Sequence, residues 1–144
     1  MGQLIISLFI AIPLFLTDTP QTIEKAFLQN NPKLLISLFS TRNRVSISLP
    51  APLVFSDQLS AQQTYFLLKD IFSTYSTFEF YSEPAPSAVS EKTMILRARW
   101  SFRHKRNKDQ YVFHVFFLLV PEEHNRDMNP SPQWKITEIK AQTL

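Results

Sequence analysis

The hydrophobic period of this sequence changes at residue 75, and that change constrains the fold more than any other feature. Before it, Ser60-Ala61-Gln62-Gln63 forms a capping box, with Ser60 at the cap and Gln63 three residues on. The helix it opens runs to about Thr74, where Thr64, Leu67, Leu68, Ile71, Phe72 and Tyr75 make one apolar stripe. After it, apolar and polar residues alternate at period two almost to the end of the chain. Residues 77–83 set Phe78 and Phe80 against Glu79 and Tyr81. Residues 93–103 set Leu96, Ala98, Trp100 and Phe102 against Ile95, Arg97, Arg99 and Ser101. A polar turn over 104–110 leads into a strand over 111–120, and a loop over 121–132 leads into a last strand over 133–142. The stretch 84–90 reads as a loop. Consecutive strands joined by such loops pair antiparallel, and helices then cover one face of the sheet.

The residues before Ser60 supply more helix and a hairpin. Thr19 can cap free amides and Pro20 fits a first helical position, after which Ile23, Ala26 and Phe27 share a face. Asn30-Asn31-Pro32 is a turn, and Pro32 starts a second short helix carrying Leu34, Leu35, Leu38 and Phe39. Residues 44–49 alternate Val45, Ile47 and Leu49 against Ser46 and Ser48, a strand. Pro50-Ala51-Pro52 turns the chain, and 53–55 returns as a short partner strand. The predicted order is α-α-β-β-α-β-β-β-β, an α+β chain with helices packed on a curved, mostly antiparallel sheet.

Composition removes several function classes. The single glycine, Gly2, excludes glycine-rich phosphate loops and dinucleotide fingerprints. The absence of cysteine excludes disulfides, Cys-ligated zinc, iron–sulfur clusters and a thiol nucleophile. A formal net charge of +3 is too modest to demand nucleic acid as a partner. No cofactor is expected.

Residues 2–17 carry no charged side chain, and 4–16 is almost wholly apolar. That run is shorter than the ~20 residues of a spanning helix and matches the ~7–15 of a signal-peptide core. The n-region lacks Lys and Arg, and no clean small-residue cleavage site follows. Residues 1–19 are therefore expected to be a signal peptide or an uncleaved hydrophobic anchor, with a first element of the domain as the other reading. Residues 20–144 form one domain. Membrane contact is expected only through 4–16, and the compartment is the periplasm or cell envelope.

The element order resembles the nuclear transport factor 2-like superfamily, a cone-shaped α+β fold also called cystatin-like. The carriers are Ala26-Phe27 in the opening helix, the Lys33-to-Phe39 segment, and Ser60-Ala61-Gln62 leading into Leu67-Leu68-Lys69-Asp70-Ile71-Phe72. Trp134-Lys135-Ile136-Thr137-Glu138-Ile139 is similar to the superfamily's closing strand. Small exported bacterial members of unknown function are the most similar in feel. The resemblance implies a scaffold. Isomerases and dehydratases of this kind use a buried carboxylate or His inside the cone, often near the early hairpin. Here 41–56 holds no Asp, Glu or His, so no catalytic residue carries over.

Candidate sites follow from residue types. His114 lies in the most hydrophobic strand, between Phe113 and Val115, with Glu138 a carboxylate partner by strand order; together they would be an acid–base pair. Tyr65, Tyr75, Tyr81 and Trp100 can line a pocket for a small apolar ligand, or simply pack. Arg103, Lys105, Arg106 and Lys108 make a basic loop, suited to an anionic surface or simply solvated. No metal site is expected from His104, His114 and His124, which lack ligand spacing. Residues 111–120 are apolar on both faces, so the side away from the helices needs a cover. A second copy supplies it through Val112, His114, Phe116 and Leu118, giving a homodimer. The first reading is a non-enzymatic exported binding domain that holds a small apolar ligand or an envelope protein. The alternative is a small isomerase, dehydratase or cyclase using His114.

Overall fold

Helix α1 (Asp18–Leu28) begins one residue before the expected cap, which puts Thr19 and Pro20 in its first turn. Proline is tolerated there because the first amides of a helix have no internal partner. The structure is a computed structural model, and it describes residues 18–83, 87–90, 92–122 and 133–144. The apolar run 4–16, His124 and most of the 121–132 loop lie outside the described residues. Ile23, Ala26 and Phe27 are buried on one face of α1, as their spacing predicts.

Asn30 ends α1 in the left-handed region at φ 49°, where Asn is among the few residues tolerated. Its side chain then reaches across the fold: Nδ2 donates to the Tyr75 carbonyl at 3.3 Å, and Oδ1 accepts from the Thr77 amide at 3.2 Å. The second helix forms as a 3₁₀ segment, Pro32–Leu38, with Asn31 as its cap. Strands β1 (Val45–Leu49) and β2 (Phe55–Leu59) make the predicted hairpin, with β2 shifted beyond the expected 53–55.

Val54 sits in that hairpin turn at φ 43° and is 73% exposed. A β-branched residue there suffers a steric penalty of about 1–2 kcal/mol without gaining burial. Val54→Asn is expected to stabilise the chain by about 1 kcal/mol, raising the midpoint of thermal unfolding by roughly 3–6 °C. An unchanged or lower midpoint in calorimetry would show that the turn carries no such strain.

Helix α2 (Ala61–Thr74) starts on the predicted capping box: Ser60 Oγ accepts from the Gln63 amide at 3.1 Å, and Gln63 Oε1 from the Ser60 amide at 3.0 Å. Ser60→Ala should therefore lower stability by about 0.5–2 kcal/mol in urea titrations, with Ser60→Asn largely retaining it.

Strand β3 (Tyr75–Ser82) follows α2 without a loop. A bulge between Thr77 and Glu79 changes its phase, so Phe78 and Phe80 do not share a face as the alternation predicts. Phe80 is buried, whereas Phe78 is 43% exposed beneath the Arg103 guanidinium, 4.7 Å from its ring centroid. Within the stretch expected as a loop, Ser87–Ser90 forms a short strand, β4, on β5 (Thr93–His104). Strands β6 (Gln110–Glu122) and β7 (Gln133–Thr143) complete a sheet with path β2-β1-β7-β6-β5-β3. Among the described residues the strands pair antiparallel except β1 on β7, so the sheet is mixed, and Phe39 adds an isolated parallel bridge to Ile136. A second bulge, opposite Leu118 and Leu119, leaves Thr137 as the extra residue and lets both Ile136 and Ile139 face inward.

The core lies between the helices and the concave side of this sheet. Phe27 is its centre, with ring centroids of Phe80 at 4.5 Å, Trp100 at 5.1 Å, Phe72 at 5.3 Å and Phe117 at 5.8 Å.

Candidate functional site

The cone interior is the first place to look for a site. Its wall is apolar: Ile47 and Leu49 from β1, Leu68 and Ile71 from α2, Trp100, Val115 and Ile139 from the sheet, closed by Phe27. The cavity among them measures about 10 Å³. That is the space of a single water, too little for any organic ligand. Among the described residues, those lining this cavity include no carboxylate or imidazole for acid–base chemistry.

The aromatic residues expected to line a pocket do not converge. Trp100 is buried in the core, and its Nε1 donates to Thr77 Oγ1 at 2.8 Å. Tyr81 projects from the other side of the sheet, opposite Arg99, and is 47% exposed. Tyr65 lies half-buried on α2 with its ring against Phe66. Tyr75 stands at the start of β3 among Phe102, His104 and Tyr111. Its phenol is raised above the ordinary value, chiefly by burial and then by Tyr111 beside it.

His114 also faces away from the cone. Its neighbours across the sheet are Arg99 on β5 and Gln142 on β7, and Glu83 approaches its Nε2 at 3.9 Å. Glu138 is paired with Leu118 instead, four residues along β7 from Gln142. At a strand rise of about 3.3 Å per residue that is roughly 13 Å, so His114 and Glu138 are not an acid–base pair. Two ion pairs lie on the same face, with Glu79 opposite Ser101 in the β3–β5 register. Arg99 lies 3.7 Å from Glu79, and Arg97 lies 4.0 Å from Glu83. Among the described residues, no group of three or more His, Asp or Glu side chains is arranged to hold a metal ion.

What the structure does bring together is the outward column of β6. Val112, His114, Phe116, Leu118 and Val120 are all half-buried on the convex face, alternating with the buried Phe113, Val115, Phe117 and Leu119. Ile95, Phe116 and Leu118 floor a groove of about 270 Å³, rimmed by Glu138, Lys140 and Gln142. The basic loop lies at one end of this face, with Lys105, Arg106 and Lys108 exposed.

Sequence reasoning did not find the polar cluster at the opposite end. Glu122 and Lys135 are 7% and 8% exposed, although their phase along β6 and β7 is outward. Ser40 Oγ donates to Glu122 and accepts from the Asn43 amide at 3.1 Å, and Lys135 Nζ donates to the Ser37 carbonyl. These bonds fasten the 3₁₀ helix to the sheet. Ser37, Glu122 and Lys135 border a cleft of about 480 Å³ with Thr41, Arg42 and Gln133. No local sequence signal marks them, because their partners lie 82 and 98 residues away.

No protein-family model matches the sequence, and no curated protein matches it. Solved structures do. A DUF4783 family protein from Bacteroides uniformis superposes with a TM-score of 0.67 at 11% identity, covering 88% of this chain and 98% of that one. A nuclear transport factor 2-like protein of unknown function in nutrient uptake, from Rhodospirillum rubrum, gives a TM-score of 0.59 at 10% identity, covering 86% and 93%. The fold is nuclear transport factor 2-like. A ketosteroid isomerase-like protein from Erwinia carotovora superposes with a TM-score of 0.63 at 11% identity, covering 92% of this chain and 98% of that one. At these identities the likeness is one of fold, and function rests on this chain's own residues.

Proposed function

We propose that this nuclear transport factor 2-like domain is a non-enzymatic interaction module that works through its convex sheet face, two copies covering one another there. The observation that carries the reading is the outward column of β6, apolar on a face the helices leave open, beside a cone with only about 10 Å³ of free space. A face of half-exposed Phe116, Leu118 and Ile95 is stabilised by cover; burying their remaining surface contributes on the order of 1–3 kcal/mol per two-residue patch. The charges around the column are mixed, with Glu79, Glu83 and Glu138 against Arg97, Arg99 and Lys140. A two-fold contact, which meets itself, can match such opposite signs. Further contacts with an envelope protein fit the same proposal, with residues 4–16 directing export or anchoring the chain at a membrane. Given the filled cone, a small apolar ligand is not part of this reading.

The test is the solution mass of the full chain by sedimentation equilibrium over micromolar concentrations. Twice the chain mass of 16.8 kDa is expected. A mass that stays at 16.8 kDa throughout would overturn the paired-copy reading.

A further inference from the structure

The β5–β6 turn is folded around one imidazole. His104 Nδ1 accepts from the Arg106 amide at 3.1 Å and from the Asn107 amide at 3.4 Å. The rest of the turn is built on the same residue's backbone, the His104 amide donating to the Asp109 carbonyl at 2.9 Å and the Lys108 amide to the His104 carbonyl at 3.0 Å. Lys108 takes a left-handed φ of 65° to close it. A nitrogen that accepts two N–H groups carries no proton, so the ordered turn requires neutral imidazole with its hydrogen on Nε2.

The surroundings work in the same direction. His104 is flanked in the turn by Arg103, Lys105, Arg106 and Lys108, with Asp109 as the turn's one carboxylate. From β3 it meets the Tyr75 ring edge-on at 5.2 Å, and Tyr111 on β6 lies behind that ring. The amide of Lys105 donates to the Thr74 carbonyl at the end of α2, and Lys108 Nζ folds back on the Lys105 carbonyl. A proton on Nδ1 would remove the one acceptor that both amides share and add a fifth positive charge to this tip.

We propose that the β5–β6 turn is a proton-sensitive switch in which neutral His104 holds the basic loop in one shape and protonated His104 releases it. A protonated Nδ1 cannot accept the Arg106 and Asn107 amides, so protonation there favours the released turn. Release sets Lys105, Arg106 and Lys108 free at the end of the convex face, changing a shaped cationic tip into a loose and more highly charged one. This inference does not depend on the pairing of two copies.

The test is NMR of the full chain, uniformly labelled with ¹⁵N, between pH 8 and pH 5. At pH 8 the His104 nitrogen shifts should be those of the Nε2–H form. Exchange of the Arg106 and Asn107 amides, corrected for its intrinsic pH dependence, should accelerate about tenfold towards pH 5, as expected for the loss of one to two ordinary hydrogen bonds. His104→Asn keeps a side-chain acceptor that cannot be protonated, so its two amides should stay protected throughout. The Nδ1–H form at pH 8 in the parent would overturn the proposal. So would parent amides that follow intrinsic rates, or acceleration that persists in His104→Asn, which assigns it to His114 or His124.

Discussion

Phe27→Ala is expected to lower the unfolding free energy by about 3–5 kcal/mol, the cost of deleting a large buried ring and leaving a cavity. Phe27 is 1% exposed and touches aromatic rings from α2, β3, β5 and β6, so its loss is felt on both sides of the core. The surrounding groups cannot collapse freely to refill the space. Phe80 stacks on Phe27 at 22° between ring planes, and Trp100 is held by its hydrogen bond to Thr77. A domain of this size has about 5–15 kcal/mol of total stability, so the variant should sit near the edge of folding. Urea denaturation of the full chain measures it, the midpoint falling with little change in slope. The contrast is Phe66→Ala: Phe66 is 52% exposed on α2, and its truncation should change stability by no more than about 0.5 kcal/mol. If the two variants unfold at the same midpoint, Phe27 is not the centre of the core.

The same contrast explains what could be read from residues alone. The α2 capping box, the β1 alternation and the inward phase of β5 and β6 are local signals that the structure follows; of the α2 stripe, Thr64, Leu68, Ile71 and Phe72 are buried, whereas Leu67 is half-buried and Tyr75 begins β3. Bulges are different. One extra residue at Thr77–Glu79 turns Phe78 outward, and another at Thr137 keeps Ile136 and Ile139 both inside. Period-two reasoning has no means of detecting an inserted residue until a partner strand fixes the register. Parallel pairing of β1 with β7 and the Ser40–Glu122 bond join residues about ninety apart in sequence, beyond the reach of any local pattern. The candidate site divides in the same way. The two-sided apolar character of β6 was legible, because it needs only alternation. Whether His114 and Glu138 meet depends on the β6–β7 register, which sets Glu138 against Leu118.

Phe116→Arg should halve the mass of the chain at tens of micromolar, raising the dissociation constant of the pair at least a hundredfold. That factor corresponds to about 3 kcal/mol, the scale of placing an unpaired charge in a covered apolar contact. This substitution carries a second effect, visible in the sheet register. Phe116 stands between Arg97 on β5 and Lys140 on β7, so arginine there lines up three cations across adjacent strands. Like charges directly opposite destabilise a sheet by roughly 0.2–1 kcal/mol each, and Phe116→Arg should therefore also unfold somewhat earlier. Phe116→Glu separates the two effects. Its carboxylate falls between the same two cations and is locally favourable, yet it still puts an ionised group in the middle of the apolar contact. Both variants should sediment as single chains while only the arginine loses fold stability. A parent that pairs and a Phe116→Glu chain that still pairs would place the contact elsewhere on the molecule, because a two-fold contact centred on the β6 column would have to desolvate that carboxylate on both chains.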